Sequence, residues 1–190
     1  MIDRFKIRRT TFSDISKIIE LSTENIGDGY LNAKTLEDAI DDGIHHIYVI
    51  ESGKTIDAFC LNMIIPVAEL PEYFELLPFM FLELTMACTM IGIIKTIVVD
   101  KKAQKKGMGA ALVAESVKQL TSMQVGGVMS IAWVHDGKIP ADRVLSSAGL
   151  RQITTVNDFW RQDSETHGYV CLRCGDPPCE CAAVLYFGEV

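Results

Sequence analysis

Cys171-Leu172-Arg173-Cys174-Gly175 and Cys179-Glu180-Cys181 put four thiols within eleven residues. A Cys-x-x-Cys-Gly knuckle turns two sulfurs toward one centre, and Cys-x-Cys on extended chain puts two more on one face, with Asp176-Pro177-Pro178 as the turn between them. Four thiolates close a tetrahedral shell of the kind that holds zinc, and a closed shell leaves no coordination position for catalysis, so such a metal is structural. Iron and iron–sulfur centres also use four cysteines, disulfides are the other use of paired thiols, and His167 lies close enough to Cys171 to replace one ligand. The segment is too short to build a core of its own, and zinc supplies on the order of 10 kcal/mol toward ordering such a piece. The other two cysteines, Cys60 and Cys88, stand alone in apolar runs and read as small buried hydrophobes.

A second stretch, Gln104-Lys105-Lys106-Gly107-Met108-Gly109-Ala110, lies between a β-branched run and a helical pattern. A helix N-terminus there offers unpaired N–H groups and partial positive charge, and glycines let an anion approach without meeting a Cβ, which suits a phosphate. It is not a Walker A loop, because no Lys-Ser or Lys-Thr follows glycine at the required gap. It is not the dinucleotide fingerprint, because Leu112 occupies the third glycine position.

The elements that must position these residues follow from periodicity. Residues 5–9 alternate as a half-buried strand, and Thr11 to Asp14 has capping-box spacing ahead of a helix whose apolar face is Ile15, Ile18 and Ile19, reaching about Leu21. A short helix over 36–41 ends at Gly43. Residues 44–50 and 54–64 form a hairpin across Glu51-Ser52-Gly53. Residues 66–90, punctuated by Pro71 and Pro78, are a partly helical insertion whose Met80, Met86 and Met90 make either an adaptable apolar pocket or extra core or a homodimer face. Residues 91–99 are a central strand buried on both faces, interrupted by Lys95. A helix over 107–123, a strand over 128–134, a helix over 140–148 and strands over 150–160 and 182–188 complete the chain, with a cysteine insertion over 167–182 between the last two strands.

At 190 residues, 48% apolar and 23% charged, the chain fits one globular domain over 1–190 with a real core. A net charge of −7 argues against nucleic acid as a partner, since that affinity rests on excess Lys and Arg, and near the knuckle only Arg173 and Tyr169 offer a basic or aromatic contact. Residues 77–94 are long enough to tempt a membrane reading, but Pro78 and Glu83 favour buried protein, so no membrane partner is expected. Met1-Ile2-Asp3-Arg4-Phe5 carries no apolar stretch after its charges, which predicts no secretory signal and a cytoplasmic protein.

Gln104-x-x-Gly107-x-Gly109 after a hydrophobic strand ending in Val99 resembles the acetyl-CoA signature of the GNAT superfamily of N-acetyltransferases. The resemblance runs from Phe5 to about Trp160: strand, two helices, hairpin, signature strand and helix, then strand, helix and Ala148-Gly149-Leu150 before the last strands. It implies an α+β, three-layer fold with a mixed, mostly antiparallel sheet flanked by helices, the zinc knuckle sitting in the last hairpin. It implies that backbone N–H groups of Gln104, Lys105, Lys106, Gly107, Met108, Gly109 and Ala110 hold the pyrophosphate of acetyl-CoA, that Lys105 and Lys106 suit its outer phosphates, and that Ile97, Val98 and Val99 pair with the pantetheine arm. The implied activity is transfer of an acetyl group to an amine on a small molecule or protein.

Two family features are missing. Where a carboxylate base often stands on the signature strand, this chain has Ile93, Lys95 and Thr96; where a tyrosine acid stands four residues before the glycine, it has Leu145. The substitutes are His135, at the end of the strand over 128–134, and Glu83, an isolated carboxylate in an apolar run, with Tyr30 as a further acid and Ser146 a weaker one. Their bland alternatives are a solvated turn histidine and a helix carboxylate facing water. The competing function is an acyl-CoA-binding regulatory or interaction module that kept the phosphate loop and lost catalysis.

Overall fold

The computed structural model describes residues 5–53 and 55–190. Met1–Arg4, used above to argue against a leader, and Lys54, the expected first residue of the second hairpin strand, lie outside the described residues.

The chain opens with β1 (Lys6–Arg9), then a single 3-10 turn into α1 (Ile15–Asn25). The expected cap is present as an ion-paired version: the Asp14 carboxylate accepts the Thr11 N–H at 2.8 Å and the Thr11 hydroxyl at 3.0 Å, and Arg8 grips both of its oxygens at 2.6 and 2.8 Å. α1 runs one turn past the sequence expectation because its buried face continues through Leu21 and Ser22. A two-residue strand, β2 (Gly27–Asp28), precedes α2 (Ala33–Asp41), whose cap Asn32 accepts the Thr35 N–H at 3.0 Å. The hairpin is β3 (His45–Ser52) and β4 (Thr55–Pro66), antiparallel as predicted. The insertion holds two short helices, α3 (Leu70–Tyr73) and α4 (Phe79–Thr85), before β5 (Met90–Val99).

After β5 come α5 (Met108–Ser122), β6 (Gly127–Trp133), α6 (Asp142–Ser147) and β7 (Arg151–Val156). The sequence predicts that β7 reaches Trp160; it stops at Val156, and α7 (Arg161–His167) follows a turn in which Asp158 takes φ 51°. Then come β8 (Val170–Cys171) and β9 (Ala183–Glu189). The seven-stranded sheet has the order β1-β3-β4-β5-β6-β9-β7, and β2 and β8 form a separate two-stranded ribbon. Among the described residues only β5 and β6 pair in parallel, so the sheet is mixed and mostly antiparallel.

Two apolar layers hold it. α1 and α2 with α3 and α4 cover one face through Ile18, Leu21, Leu36, Leu70 and Phe81. α5 and α6 cover the other through Leu112, Val113, Leu120 and Leu145, which gives three layers. Residues 77–94 are divided between α4 and β5, and among the described residues no helix is long and apolar enough to cross a membrane.

Candidate active site and cysteine cluster

β5 and β6 pair only from Ile91↔Gly127 to Ile94↔Ser130. Beyond that point β5 stays with β4 and β6 with β9, so the sheet forks, and the Ser130 hydroxyl donates to Ile94 O at 2.8 Å at the apex. A register shift accompanies the fork: Leu61 faces Thr96 while Asn62 faces Ile94, leaving Lys95 as the extra residue of a β-bulge. The bulge reverses side-chain parity. Ile91 and Ile93 before it and Val98 after it belong to one core layer, whereas Ile94 belongs to the other. Main-chain groups of β5 facing the fork beyond Ile94 have no β6 partner, which is where an extended ligand can pair.

The fork opens into a cavity of about 600 Å³, within the size range of small-molecule sites. Ile97, Val98, Val99 and Gln104 line it on the β5 side, as the sequence predicts, with Thr96 and Lys95 beside them. Trp133 and His135 line the β6 side. The His135 ring lies 4.8 Å from that of Trp133, and its Nδ1 is 3.7 Å from Asp136. Tyr30 enters from the β2–α2 loop, its hydroxyl 3.2 Å from Thr96 Oγ1. Glu83 is exposed on α4 and is not among the residues lining either cavity. Met80 and Met86 are exposed as well, on a face with Phe79 and Leu84, while Met90 packs against the α5 layer, so these methionines do not form a pocket at the fork.

A second cavity of about 410 Å³ adjoins the first, and Tyr30, Lys95, Trp160 and Tyr169 line both. It carries the acids Glu72, Glu75 and Asp163. Burial and the Asp163 carboxylate push the Tyr169 phenol upward, keeping it protonated. Trp160 Nε1 is buried with no hydrogen-bond partner among the described residues.

At the start of α5 the Gln104 side chain donates to Val99 O at 3.2 Å and Ala103 is buried, pinning the loop to the end of β5. Gly107, the residue before the helix, has φ 92°, a left-handed conformation that glycine adopts without strain, and the space a Cβ would occupy is open. Among the described residues the backbone N–H groups of Gly107, Met108, Gly109 and Ala110 donate no hydrogen bond within the chain, while residues 101–105 form hydrogen-bonded turns; the next N–H, that of Ala111, donates to Gly107 O at 3.0 Å. The Met108 side chain is core, whereas Lys105 and Lys106 are exposed.

The four cysteines converge. All their Sγ atoms lie within 4.8 Å of one another, with Cys174–Cys181 at 3.5 Å, Cys179–Cys174 at 3.9 Å and Cys171–Cys181 at 4.0 Å. In a tetrahedral zinc thiolate centre, sulfurs about 2.3 Å from the metal lie about 3.8 Å apart, while a disulfide needs about 2.05 Å, so the donor set fits a metal. Cys171, Cys179 and Cys181 are buried and Cys174 is exposed. Burial pushes the Cys179 thiol up and that of Cys181 up to about 11, so a cation is required to hold them together as thiolates. His167 sits on α7, its Nδ1 toward Asp163, outside this group.

The sequence matches no family profile and no curated protein. Its fold is that of solved GNAT N-acetyltransferases. Arabidopsis thaliana NAA60 in complex with acetyl-CoA superposes with a TM-score of 0.72 at 15% identity, covering 98% of each chain. The same protein in complex with a bisubstrate analogue gives 0.69 at 14% identity, covering 97% of each. The Escherichia coli ribosomal-protein-S18-alanine N-acetyltransferase gives 0.66 at 12% identity over 98% of this chain and 94% of that one.

Sequence reasoning missed Trp133 and Trp160 as site walls. It used Lys95 as the interruption of the central strand and as one of the residues at the expected base position, and not as a bulge. The one signal for the bulge was that lysine in an otherwise β-branched strand.

Proposed function

We propose that the chain is an acetyl-CoA-dependent N-acetyltransferase. The observation that carries this reading is the row of unpartnered backbone N–H groups over residues 107–110 at the head of a 15-residue helix, directly beside the forked strand. That row suits a pyrophosphate, with Lys105 and Lys106 toward the outer phosphates, and the free edge of β5 along Ile97, Val98 and Val99 suits the amide groups of a pantetheine arm. The thioester then lies in the fork near the bulge at Lys95.

The amine enters from the second cavity, whose acids attract a cationic group and whose aromatic rings of Tyr30, Trp160 and Tyr169 exclude water. The amine must lose its proton before attack. His135 is the group at the fork that accepts it, directly or through a water. The amine lone pair forms the C–N bond at the thioester carbonyl, main-chain N–H groups of β5 stabilise the oxyanion, and collapse breaks the C–S bond. The thiolate then takes a proton from a hydroxyl at the fork, Tyr30 in this reading, and the proton that the nitrogen sheds as the amide forms restores that hydroxyl. Glu83 has no part in this scheme. The acceptor is an amine on a small molecule or on a protein, as it is in the ribosomal-protein enzyme of similar fold.

The four cysteines hold a structural zinc in this reading; the metal supplies a closed cross-link and no open position for chemistry. Metal analysis of purified protein distinguishes it from iron, which would colour the protein.

The test is release of free CoA across a panel of peptides and simple amines. Turnover that Gly107→Glu abolishes supports the enzyme. Tight acetyl-CoA binding with no turnover on any amine supports the second reading, a binding module, which Ile93, Lys95 and Leu145 at the family's base and acid positions favour.

A further inference from the structure

The cysteine cluster is built into the wall of the cleft. Cys171 and Cys179 line the larger cavity, and Cys171 is also a residue of β8, which pairs with β2 through Gly27↔Cys171 and Asp28↔Val170. Leu172 N–H donates to Ile26 O at 3.2 Å, extending the contact by one residue. The approach is so close that a Cβ on Gly27 would lie 1.8 Å from Val170 O. Strands of two residues do not hold together by themselves, so something beyond their own ladder must keep them paired.

From this ribbon hang the groups at the junction of the two cavities. Tyr169, next to β8, meets Tyr30 edge-on with ring centroids 5.5 Å apart, and Tyr30 reaches Thr96 on the bulged strand. Trp133 and Trp160, the chain's two tryptophans, both pack against Cys171, Cys179 and Cys181. Cys179 N–H donates to Ser164 Oγ at 2.8 Å, tying α7 to the same cluster, and Arg173 pairs with Asp136 beside His135. The loop over 104–110, by contrast, is anchored to β5 and α5.

We propose that the metal held by Cys171, Cys174, Cys179 and Cys181 positions the amine-acceptor wall of the cleft, so that acceptor binding depends on the metal and acetyl-CoA binding does not. The inference rests on the reading of the cleft as an acyl-transfer site. The cysteines are positioning residues: they act through Tyr30, Trp160 and Tyr169.

The experiment compares the full chain loaded with Co²⁺ and the same chain stripped by a chelator under reducing conditions. Thiolate-to-cobalt absorption reports occupancy, and the two tryptophans report the cluster's surroundings. On stripping, tryptophan emission shifts to the red and amide exchange accelerates by about tenfold or more over 26–31 and 168–181, while the hydrogen-bonded amides of α5 over 111–122 and the calorimetric Kd for acetyl-CoA stay as they were. With a pool of random hexapeptides bearing free N-termini, any turnover shows a KM raised about tenfold with a smaller change in kcat. Two variants separate the wall from the metal. Gly27→Ala keeps the full cobalt spectrum yet shows the fast exchange over 28–31, and Cys174→Ser shows exchange that follows cobalt occupancy during a titration.

Unchanged exchange over 26–31 after stripping overturns the proposal, and so does acceleration that spreads equally to 111–122 or an equal weakening of acetyl-CoA binding. If metal-loaded protein binds no acetyl-CoA, the acyltransferase reading falls, while the exchange data still decide whether the metal holds this wall.

Discussion

The two ends of the cleft are built by opposite strategies. The end that suits phosphates comes from one continuous stretch, residues 99–111, and offers main-chain N–H groups at a helix terminus. The end proposed to take the acceptor is assembled from the β2–α2 loop, residues 72–76, the bulge of β5, the end of β6 and the segment from Trp160 to Cys179, and offers side chains. A binding site made of backbone at a helix end needs only local sequence to form. One made of side chains from five segments needs the whole fold and, in the proposal above, a metal cross-link as well.

The comparison can be broken most severely at the cysteines. Cys179→Ser removes a buried ligand from a centre worth on the order of 10 kcal/mol of binding energy, and it should abolish the tetrahedral cobalt spectrum and lower the unfolding temperature while acetyl-CoA still binds. Loss of acetyl-CoA affinity to the same degree would mean that the two ends are one unit. A smaller effect, confined to chemistry, is expected from His135→Gln: kcat falls by about 10²-fold with the Kd for acetyl-CoA unchanged, as single-turnover kinetics and calorimetry would show. Unaltered kcat would remove His135 from the reaction.

A control site lies away from both ends. Arg8 hydrogen bonds hold the Asp14 carboxylate down from the ordinary 3.8 to about 2. A carboxylate pKa lower in the folded than in the unfolded chain adds stability that is fully present above 3.8 and is lost as pH falls through about 2. Asp14→Asn should therefore cost about 2 kcal/mol near neutral pH, with the difference from the parent closing toward pH 2, and should leave ligand binding intact. Denaturant titrations at several pH values read this directly. The smallest effect belongs to Lys105→Glu with Lys106→Glu, both exposed: the Kd for acetyl-CoA should rise about tenfold at low salt and less at high salt, because surface charges are screened. An equal rise at all salt concentrations would point to a deformed loop instead.

The same contrast governs what the sequence reveals. The glycine spacing at Gly107 and Gly109, the run from Ile91 to Val99 and the cysteine spacing are local patterns, and each led to the element found. β7 was read too long because Phe159 and Trp160 are apolar, yet they turn inward from a loop rather than from a strand. The bulge at Lys95 depends on the register with β4, and the pairing of Gly27 with Cys171 joins residues far apart in the chain, so neither has a periodicity to detect. Composition left the methionines of the insertion open between a pocket, extra core and a homodimer face, because it does not say which side of a short helix meets the core. The candidate catalytic groups were the hardest to read because Ile93, Lys95 and Thr96 stand where the resemblance implies a base and Leu145 where it implies an acid, and no local pattern marks a substitute.

The most direct test of the account is a calorimetric titration of the metal-loaded protein with acetyl-CoA, alongside Gly107→Glu. The account predicts binding with a Kd on the micromolar scale that disappears in the variant, whose side chain sets a carboxylate among the unpartnered N–H groups and strains a left-handed residue. A folded, metal-loaded protein that gives no binding heat with acetyl-CoA at any concentration tried, and no competition against it by CoA, would contradict it.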